Sequence, residues 1–403
     1  MLNVTEPGPA LELILGNITD AICTEPVSLG NSLGRICAED LISPEDLPAF
    51  SRSTVDGYAV CADDTYGCSD SIPAMLICDG EIKMGELPSA ALKKGHCMRI
   101  ATGGGLPEGA DAVSMIEYTD DPGDEFRYVY KPVSKLENVN SRGDDVRKGS
   151  TLLKKGTRIS SRNVAVLAAL GIANVRVYKE VSAGIISTGD ELVEYTEKPA
   201  GAQIRNINSV MLASQVREAG AIPVVYPIVK DDFELLKRTI SSALSECDLL
   251  LISGGSSVGE KDNTFKAFAE LGEVMFHGIS IKPGKPTIFA MCAGKPVFGL
   301  PGHPQAAFFI FRLFAAPAIN KMLGIKAPEK STECILSANI PSNHGREEIM
   351  PVRIEGGVAV PLHSRSGMVS VLSAADGYIR VPRDAEGLMK GSPVKVFLLK
   401  DNT

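Results

Sequence analysis

The sequence contains no tryptophan, and aromatic residues make up only 5% of its 403 positions. Nine cysteines are present, but no two form a C-x-x-C pair and none has a histidine at zinc-finger spacing. No apolar run reaches the roughly 18 to 20 residues of a membrane span, because Arg312 and Pro317 interrupt the most apolar stretch, residues 306–319. These absences favour reduced thiols without a chemical role and argue against a zinc finger or a membrane-spanning segment.

Basic residues are also fewer than acidic ones. With 41 Lys and Arg against 49 Asp and Glu, the formal net charge is −8, which argues against nucleic-acid binding along the whole chain because phosphate contacts need cations. The first residues lack the basic and then apolar order of a signal peptide, so we expect a cytoplasmic protein. Neither a Walker phosphate loop nor a complete dinucleotide fingerprint occurs. Walker ATPases and Rossmann dehydrogenases are therefore not expected.

Glycine and proline, by contrast, are frequent, with 39 and 25 residues. The length exceeds what one hydrophobic core usually serves, so we expect several domains. Between residues 181 and 262, apolar runs and helical patterns alternate in an order that predicts an α/β domain with a parallel sheet. Short strand patterns in residues 50–180 and beyond residue 328 predict β-rich parts on either side, the last one a small β-domain.

Local signals fix several elements of the α/β segment. A helix over residues 209–219 ends at Gly220, which is a typical C-terminal stop. A strand follows at residues 222–229. Asp231 and Asp232 stand where an N-cap belongs, before a helix over residues 233–244.

Three loops follow the predicted parallel strands, and each of them carries carboxylates: 188–191, 230–232 and 253–262. Because ligands bind beyond the carboxyl ends of such strands, we expect the loops to form one site. The glycine- and serine-rich loop offers main-chain N–H groups suited to phosphate or another oxyanion. A divalent cation such as Mg²⁺ would account for carboxylates beside an anion. The alternative is that these acids only cap helices.

Two further loops combine proline, which stiffens the chain, with glycine, which permits tight turns. The loop 281–286 carries Lys282 and Lys285, and the loop 299–304 leads into an apolar helix. Two fixed lysines favour an anion clamp, although Lys-Pro-Gly is also ordinary turn chemistry. The residues alone thus predict a metal-assisted pocket for a phosphorylated or oxyanionic ligand.

These segments resemble those of a known family. The matching segments are Thr188-Gly-Asp-Glu191, Ser253-Gly-Gly-Ser-Ser-Val-Gly259, Lys282-Pro-Gly-Lys-Pro286, Gly299-Leu-Pro-Gly-His-Pro304 and, upstream, Val55-Asp-Gly-Tyr-Ala59, Arg99-Ile-Ala-Thr-Gly103, Pro107-Glu-Gly-Ala-Asp-Ala112 and Arg142-Gly-Asp-Asp145. They are similar to motifs of the MoeA-type molybdopterin molybdenumtransferase family, which includes the E domain of gephyrin. The resemblance spans essentially the whole chain.

The resemblance implies an elongated, multidomain subunit of the α/β plus β class. Its parts would be a β-rich N-terminal composite, a three-layer α/β (MogA-like) molybdopterin-binding domain with a mostly parallel sheet, and a small C-terminal β-barrel-like domain. The implied limits are 1–45 with 140–177 for a discontinuous N-terminal domain, 46–139 for a β-rich inserted domain, 178–325 for the α/β domain and 326–403 for the C-terminal domain.

The resemblance also implies an activity. Molybdate (or tungstate) would be inserted into adenylylated molybdopterin with release of AMP, in the presence of Mg²⁺ or another divalent cation. The family forms homodimers whose active site lies between the α/β domain of one subunit and the N-terminal domains of the other, and contact with an adenylyltransferase partner is a further expectation. Two alternatives stay open: adenylyl transfer from ATP to molybdopterin, and a non-catalytic molybdopterin-binding scaffold.

Site residues carry over from the family by position. The implied metal ligands are Glu191, Asp231 and Asp262. The implied catalytic residues are Glu191, Asp231, Asp262, Asp56, Lys282 and Lys285. The implied binding residues are Thr102, Asp145, Thr188, Gly189, Asp190, Ser253, Gly254, Gly255, Ser257, Pro286, Pro301, Pro304, Arg346 and Ser366.

Among these, Asp56, Thr102 and Asp145 are expected to face the cleft from the partner subunit, although Asp56 could instead hold its own Gly-Tyr turn. The chain departs from the family pattern at Gly278, where a lysine is common. It also has Ser256 and His303 in place of a valine and an asparagine. These departures leave the choice between molybdate and tungstate open.

Overall fold

The computed structural model of the protein describes residues 4–19, 23–254, 263–325, 329–363 and 368–399. The predicted site residues Gly255, Ser257, Asp262 and Ser366, like Ser256, lie outside these ranges. Within the described ranges, no helix is long and apolar enough to cross a membrane.

The first part of the chain is a β-rich composite, as predicted. Its elements in order are α1 Pro7–Asn17, β1 Thr24–Ser28, β2 Leu41–Ile42, β3 Arg52–Ser53, β4 Gly57–Val60, β5 Ala74–Ile82, β6 His96–Ile100, β7 Ala112–Met115, β8 Thr119–Asp120, β9 Phe126–Val129, β10 Val139–Asn140, β11 Thr151–Leu153, α2 Ser161–Ala169 and β12 Asn174–Tyr178. The antiparallel pairs β1–β12, β2–β11 and β3–β10 are nested around a six-stranded sheet of order β7-β4-β6-β5-β9-β8. The chain therefore passes through the first strand of each pair, builds the six-stranded sheet, and returns through the second strand of each pair.

Helix α1 packs against a helical part of the chain that is distant in sequence. Its Ala10 and Ile14 are fully buried in the same cluster as Ile319, which lies far along the chain. Main-chain bonds reinforce the contact, because Thr5 donates its N–H to the Gly278 carbonyl at 3.0 Å. The first residues thus pack on the α/β part, and the domain limits given above stay a prediction.

The middle of the chain forms the predicted α/β part. Its elements are β13 Ser182–Ser187, β14 Leu192–Val193, β15 Ile204–Arg205, α3 Asn208–Ala219, β16 Ile222–Val225, α4 Phe233–Glu246, β17 Leu249–Ser253, α5 Asn263–Leu271, β18 Gly272–His277, β19 Ile281–Lys282, β20 Ile288–Cys292, β21 Lys295–Leu300, α6 Pro304–Ile310 and α7 Ala316–Met322. Six strands form one sheet of order β16-β13-β17-β21-β20-β18. Only β20 runs against its neighbours among these strands, which confirms a mostly parallel sheet.

Helices cover both faces of this sheet, so the α/β part has three layers. Successive residues of a strand point to opposite faces. Ile185 accordingly joins a cluster with Leu212 of α3, whereas Ile186 joins one with Ile240 of α4 and Phe268 of α5. The burial of apolar side chains on both faces explains why the strands read as continuous apolar runs.

The predicted boundaries hold with one correction. Gly220 follows α3 with a left-handed φ of +89°, and Asp232 caps α4 by accepting the Leu235 N–H at 2.7 Å. The strand predicted over residues 222–229 was wrong at its end, because β16 stops at Val225. Pro227 has no N–H to donate to the ladder, which accounts for the early stop.

The last part of the chain closes into a small barrel. Its elements are β22 Ser331–Leu336, β23 Ile340–Pro341, β24 Glu347–Glu355, β25 Val358–Pro361, α8 Ser370–Ala374, β26 Gly377–Val381, β27 Gly387–Leu388 and β28 Pro393–Leu398. The pairings run β24-β25-β22-β28-β26 and return from β26 to β24. This ring confirms the predicted C-terminal β-barrel-like domain. Strand β19 of the α/β part adds to it by pairing with β24 in parallel.

Neighbouring leucines of α4 test the layered packing. Leu236 is 1% exposed in the cluster beneath the sheet, whereas Leu235 is 47% exposed. We predict that Leu236→Ala lowers the free energy of unfolding by about 2–5 kcal/mol, because it removes buried contacts and leaves a cavity. The matched control Leu235→Ala should change it by less than about 1 kcal/mol. Urea denaturation followed by circular dichroism measures both, and equal losses would contradict the layer assignment.

Candidate active site

The loops that follow the parallel strands meet at one edge of the sheet, as predicted. The Thr188 N–H donates to the Ser253 carbonyl at 2.9 Å, so the ends of β13 and β17 are joined directly. The Gly189 N–H donates to the Val229 carbonyl at 3.1 Å, which brings in the loop after β16. Three separate segments of the chain therefore form one continuous surface, which we call the strand-end site.

Gly254 lets the backbones in the strand-end site approach closely. Its φ is +106°, and a Cβ there would lie 2.2 Å from the Thr188 carbonyl oxygen, so no larger residue fits without a shift of the main chain. The Gly254 N–H donates to the Leu300 carbonyl at 3.3 Å. The loop after β21, which carries Pro301 and leads into α6 at Pro304, thereby joins the same surface.

Acidic side chains converge on this surface. The Thr188 hydroxyl donates to Asp231 Oδ1 at 3.2 Å, and the Asp231 N–H donates to Asp190 Oδ1 at 3.2 Å. Lys230 Nζ donates to the Asp190 carbonyl oxygen at 3.1 Å rather than to a carboxylate. Asp232 is occupied as the cap of α4, and among the described acids of these loops it is the one that helix capping explains. Asp231 remains exposed and available to a ligand.

Glu191 lies over the turn that starts the same loop. A Cβ on Gly189 would lie 2.8 Å from Glu191 Oε2, so the carboxylate folds back over this glycine. Glu191 is exposed and forms no ion pair within the described ranges. The structure thus brings Thr188, Gly189, Asp190, Glu191 and Asp231 together, as the sequence predicted.

The donor set of the strand-end site fits a hard divalent cation. Mg²⁺ prefers oxygen ligands and commonly takes one or two carboxylates while keeping several waters. Glu191 and Asp231 supply two exposed carboxylates. In the part of the chain that the structure describes, no group of three or more His, Cys, Asp or Glu residues is arranged to hold a metal, and Asp262, the third predicted ligand, lies outside that part.

Asn208, which no sequence motif marked, connects Ser253 at the end of β17 with the loop after β21. Its Nδ2 donates to Ser253 Oγ at 2.8 Å and to the Gly302 carbonyl at 2.8 Å. The residue is 8% exposed and begins α3. An asparagine directly before the predicted helix 209–219 was the available signal, but its partners lie on segments distant in sequence.

The loop 281–286 lies at the same edge of the sheet, because it connects the end of β18 to the start of the antiparallel strand β20. Lys285 is exposed and has no ion-pair partner within the described ranges, whereas Lys282 Nζ lies 2.8 Å from Glu348 Oε1. Of the two lysines expected to form an anion clamp, Lys282 is therefore paired with the barrel, whereas Lys285 has no ion-pair partner among the described residues. Pro286 lies next to Lys285, and the Ile279 N–H donates to the Lys285 carbonyl at 2.9 Å.

Arg346 of the barrel comes next to this loop through strand pairing. Strand β19 pairs with β24 in parallel so that Ile281 faces Glu347 and Lys282 faces Glu348. The Glu347 N–H also donates to the Ser280 carbonyl at 2.9 Å. Arg346, which directly precedes β24, is exposed at this junction.

The N-terminal candidates form contacts within their own region. Asp56 Oδ1 accepts the Thr102 N–H at 2.7 Å and the Thr102 hydroxyl at 3.0 Å, so its carboxylate holds the Thr102 loop rather than its own turn. These bonds, the main-chain one first, hold the pKa of the Asp56 carboxyl below its ordinary value. No hydrogen bond among the described residues connects Asp56 or Thr102 with the strand-end site.

Asp145 lies apart from both the strand-end site and the Asp56–Thr102 contact, on a loop that hydrogen bonds to Asp46 hold in place. Asp46 accepts from Arg142 Nε at 2.7 Å and from the Lys148 N–H at 2.8 Å. These bonds, with that of Lys148 first, hold the pKa of the Asp46 carboxyl below its ordinary value. Asp145 is exposed and lines a cleft of about 400 Å³ together with Asn163.

Models of three protein domains match successive parts of the chain. The MoeA N-terminal region (domain I and II) matches residues 7–171. The "Probable molybdopterin binding domain" matches residues 184–321, and the MoeA C-terminal region (domain IV) matches residues 333–399. A molybdopterin molybdenumtransferase of Bacillus subtilis is 34% identical over 94% of this chain and 90% of its own length. The chain belongs to the MoeA family.

Other relatives support this MoeA assignment. A protein of Methanocaldococcus jannaschii is 41% identical over 93% of this chain and 92% of its own length. It is named as a molybdopterin biosynthesis protein. A crystal structure of the molybdopterin biosynthesis MoeA protein from Pyrococcus horikoshii is 38% identical, covers 99% of this chain and 100% of its own, and superposes with a TM-score of 0.87. The described fold of this MoeA chain is thus that of a solved relative.

The bond between Thr102 and Asp56 can be tested in this MoeA chain by titration. We predict that Thr102→Val raises the pKa of the Asp56 carboxyl, because one of two hydrogen bonds to the charged form is lost. Thr102→Ser keeps a hydroxyl and should leave that pKa nearly unchanged. Carbon-13 NMR of labelled aspartates, with Asp56→Asn for assignment, measures the shift. Identical titrations in the wild type and Thr102→Val would contradict the described hydrogen bond.

Proposed function

We propose that this protein is a molybdopterin molybdenumtransferase, which inserts molybdate (or tungstate) into adenylylated molybdopterin and releases AMP. The observation that carries the proposal is the convergence at one edge of the sheet of the loops 188–191 and 230–232, of Ser253 and Gly254, and of the loop 281–286, which we call the lysine loop. Relatives of that name are 32–34% identical over most of the chain. An adenylyl phosphate and an oxyanion need both cations and donors, which this edge supplies.

The acids and the cations of the site have separate roles in this proposal. Glu191, Asp231 and Asp262 would hold Mg²⁺ or another divalent cation, whose charge stabilises the phosphate group that leaves with AMP. The Thr188 hydroxyl donates to the Asp231 carboxylate, and Asp190 accepts the main-chain N–H of Asp231. These two neighbours therefore orient the Asp231 carboxylate. Lys285, Lys282 and Arg346 would bind the oxyanion. Ser253 and Asn208 fix the loops around it.

We also propose that the protein acts as a homodimer in the cytoplasm. Asp56, Thr102 and Asp145 match family site positions, yet their hydrogen bonds stay within the N-terminal region. A second subunit that presents these residues to the strand-end site would complete it, as two-fold symmetry allows. Transfer of the substrate from an adenylyltransferase partner would occur at the strand-end site.

Two adjacent aspartates provide a matched test of the acid cluster. We predict that Asp231→Asn lowers the rate of AMP release from adenylylated molybdopterin at least about 100-fold, because a proposed metal ligand loses its charge. Asp232→Asn should retain activity, since asparagine caps a helix as well as aspartate does. Asp262→Asn should behave like Asp231→Asn.

The measurement is AMP release followed by chromatography, with the melting temperature of each variant as the folding control. Equal activity of Asp231→Asn and the wild type would overturn the role given to Asp231. Accumulation of adenylylated molybdopterin from ATP and molybdopterin would instead favour the preceding adenylyl transfer. Tight binding of molybdopterin without turnover under any metal would favour a scaffold.

Mixing two inactive variants tests the shared site. We expect Asp56→Asn and Asp231→Asn each to be inactive alone as homodimers. After subunit exchange, half of the dimers are mixed, and each mixed dimer has one site with both native residues, so about a quarter of wild-type activity should return. No recovery, with mixed dimers demonstrated by native mass spectrometry, would place both residues in the site of one subunit.

A further inference from the structure

Glu348 of the barrel forms an ion pair with Lys282, one of the two lysines of the lysine loop. Its Oε1 lies 2.8 Å from Lys282 Nζ, and its Oε2 accepts the Ser342 hydroxyl at 2.8 Å. Glu348 is 8% exposed, so the carboxylate is shielded from water and held from two sides. The Lys282 side chain is 50% exposed. A lysine ammonium has three donors, and this pair uses one of them.

The contact is fixed by the main chain rather than by two mobile side chains. Strands β19 and β24 pair in parallel with Lys282 opposite Glu348. Registered residues of neighbouring strands present their side chains to the same face. The Glu347 N–H bond to the Ser280 carbonyl, 2.9 Å long, secures the same register. The pair therefore joins the barrel to the anion-binding loop at a defined position.

A fixed negative charge beside Lys282 weakens the electrostatic attraction between this lysine and any anion. An oxyanion that contacts the remaining donors of Lys282 also meets the repulsion of the Glu348 carboxylate across a short distance. The nearby cations Lys285 and Arg346 have no ion-pair partner in the described ranges. Binding must then depend on several cations together rather than on Lys282 alone.

We propose that Glu348 acts through Lys282 to lower the affinity of the lysine loop for oxyanions. The proposal rests on the role of Lys282 in the proposed function. The sign of the change in anion affinity on loss of Glu348 distinguishes this role from a purely structural ion pair. Loss of a structural ion pair leaves the affinity for an anion unchanged or lower, whereas loss of an opposing charge raises that affinity.

The test is the binding of molybdate to the full-length Glu348→Gln variant. Glutamine keeps the size of the side chain and an acceptor for the Ser342 hydroxyl, but it removes the charge. Isothermal titration calorimetry with sodium molybdate at low ionic strength should give a Kd about fivefold lower than for the wild type, the effect expected of one nearby unit charge. The gain should shrink as salt screens the charge.

Two control variants isolate the cause. Glu355→Gln removes an exposed charge at the far end of β24, where the carboxylate pairs with Arg353 at 2.7 Å, and should leave the Kd unchanged. Lys282→Gln introduced together with Glu348→Gln should abolish the gain, because the lysine transmits it. If Glu348→Gln lowers the melting temperature, Glu348→Ala provides a second neutral variant that must show the same sign.

An unchanged or higher Kd in both neutral variants would overturn the proposal, as would a gain that persists without Lys282. Failure of the proposed function is recognised separately. In that case the wild type releases no AMP from adenylylated molybdopterin under any metal, while the molybdate titrations still report the sign of the Glu348 effect.

Discussion

The close main-chain packing at the carboxyl edge of the six-stranded sheet is the constraint on which the site depends. Gly254 approaches the Thr188 carbonyl so closely that a Cβ would lie 2.2 Å from its oxygen. This contact fixes the end of β17 against Thr188, which begins the loop after β13. The acids of that loop are thereby held next to the end of β17.

Several features of this edge could be predicted from the sequence, because general rules determine them. The alternation of apolar runs and helical patterns defines a parallel sheet, and such sheets gather their ligands beyond the strand ends. Gly220 and Asp232 marked helix ends correctly through backbone conformation and side-chain capping. Local pattern alone left both Asp231 and Asp232 as possible helix caps, and the family resemblance selected Asp231 for the site. In the folded chain Asp232 is the cap of α4, whereas Asp231 accepts the Thr188 hydroxyl.

The features that could not be predicted depend on pairings between distant segments. No local pattern reveals that β19 adds to the barrel, so the pairing of Lys282 with Glu348 was not foreseen. The same holds for Asn208, whose partners follow two different strands. Pro227 shows the opposite case, since a local property of the residue shortened a strand that the apolar run alone overestimated.

In the proposed function, the acidic loops and the cationic loop serve a single reaction on a phosphate and an oxyanion. The decisive experiment follows AMP release from adenylylated molybdopterin by the wild-type protein, with molybdate and a divalent cation each supplied or withheld. Rapid release is expected only when both are present. Release at the same rate without molybdate, or without a divalent cation, would contradict the proposed function.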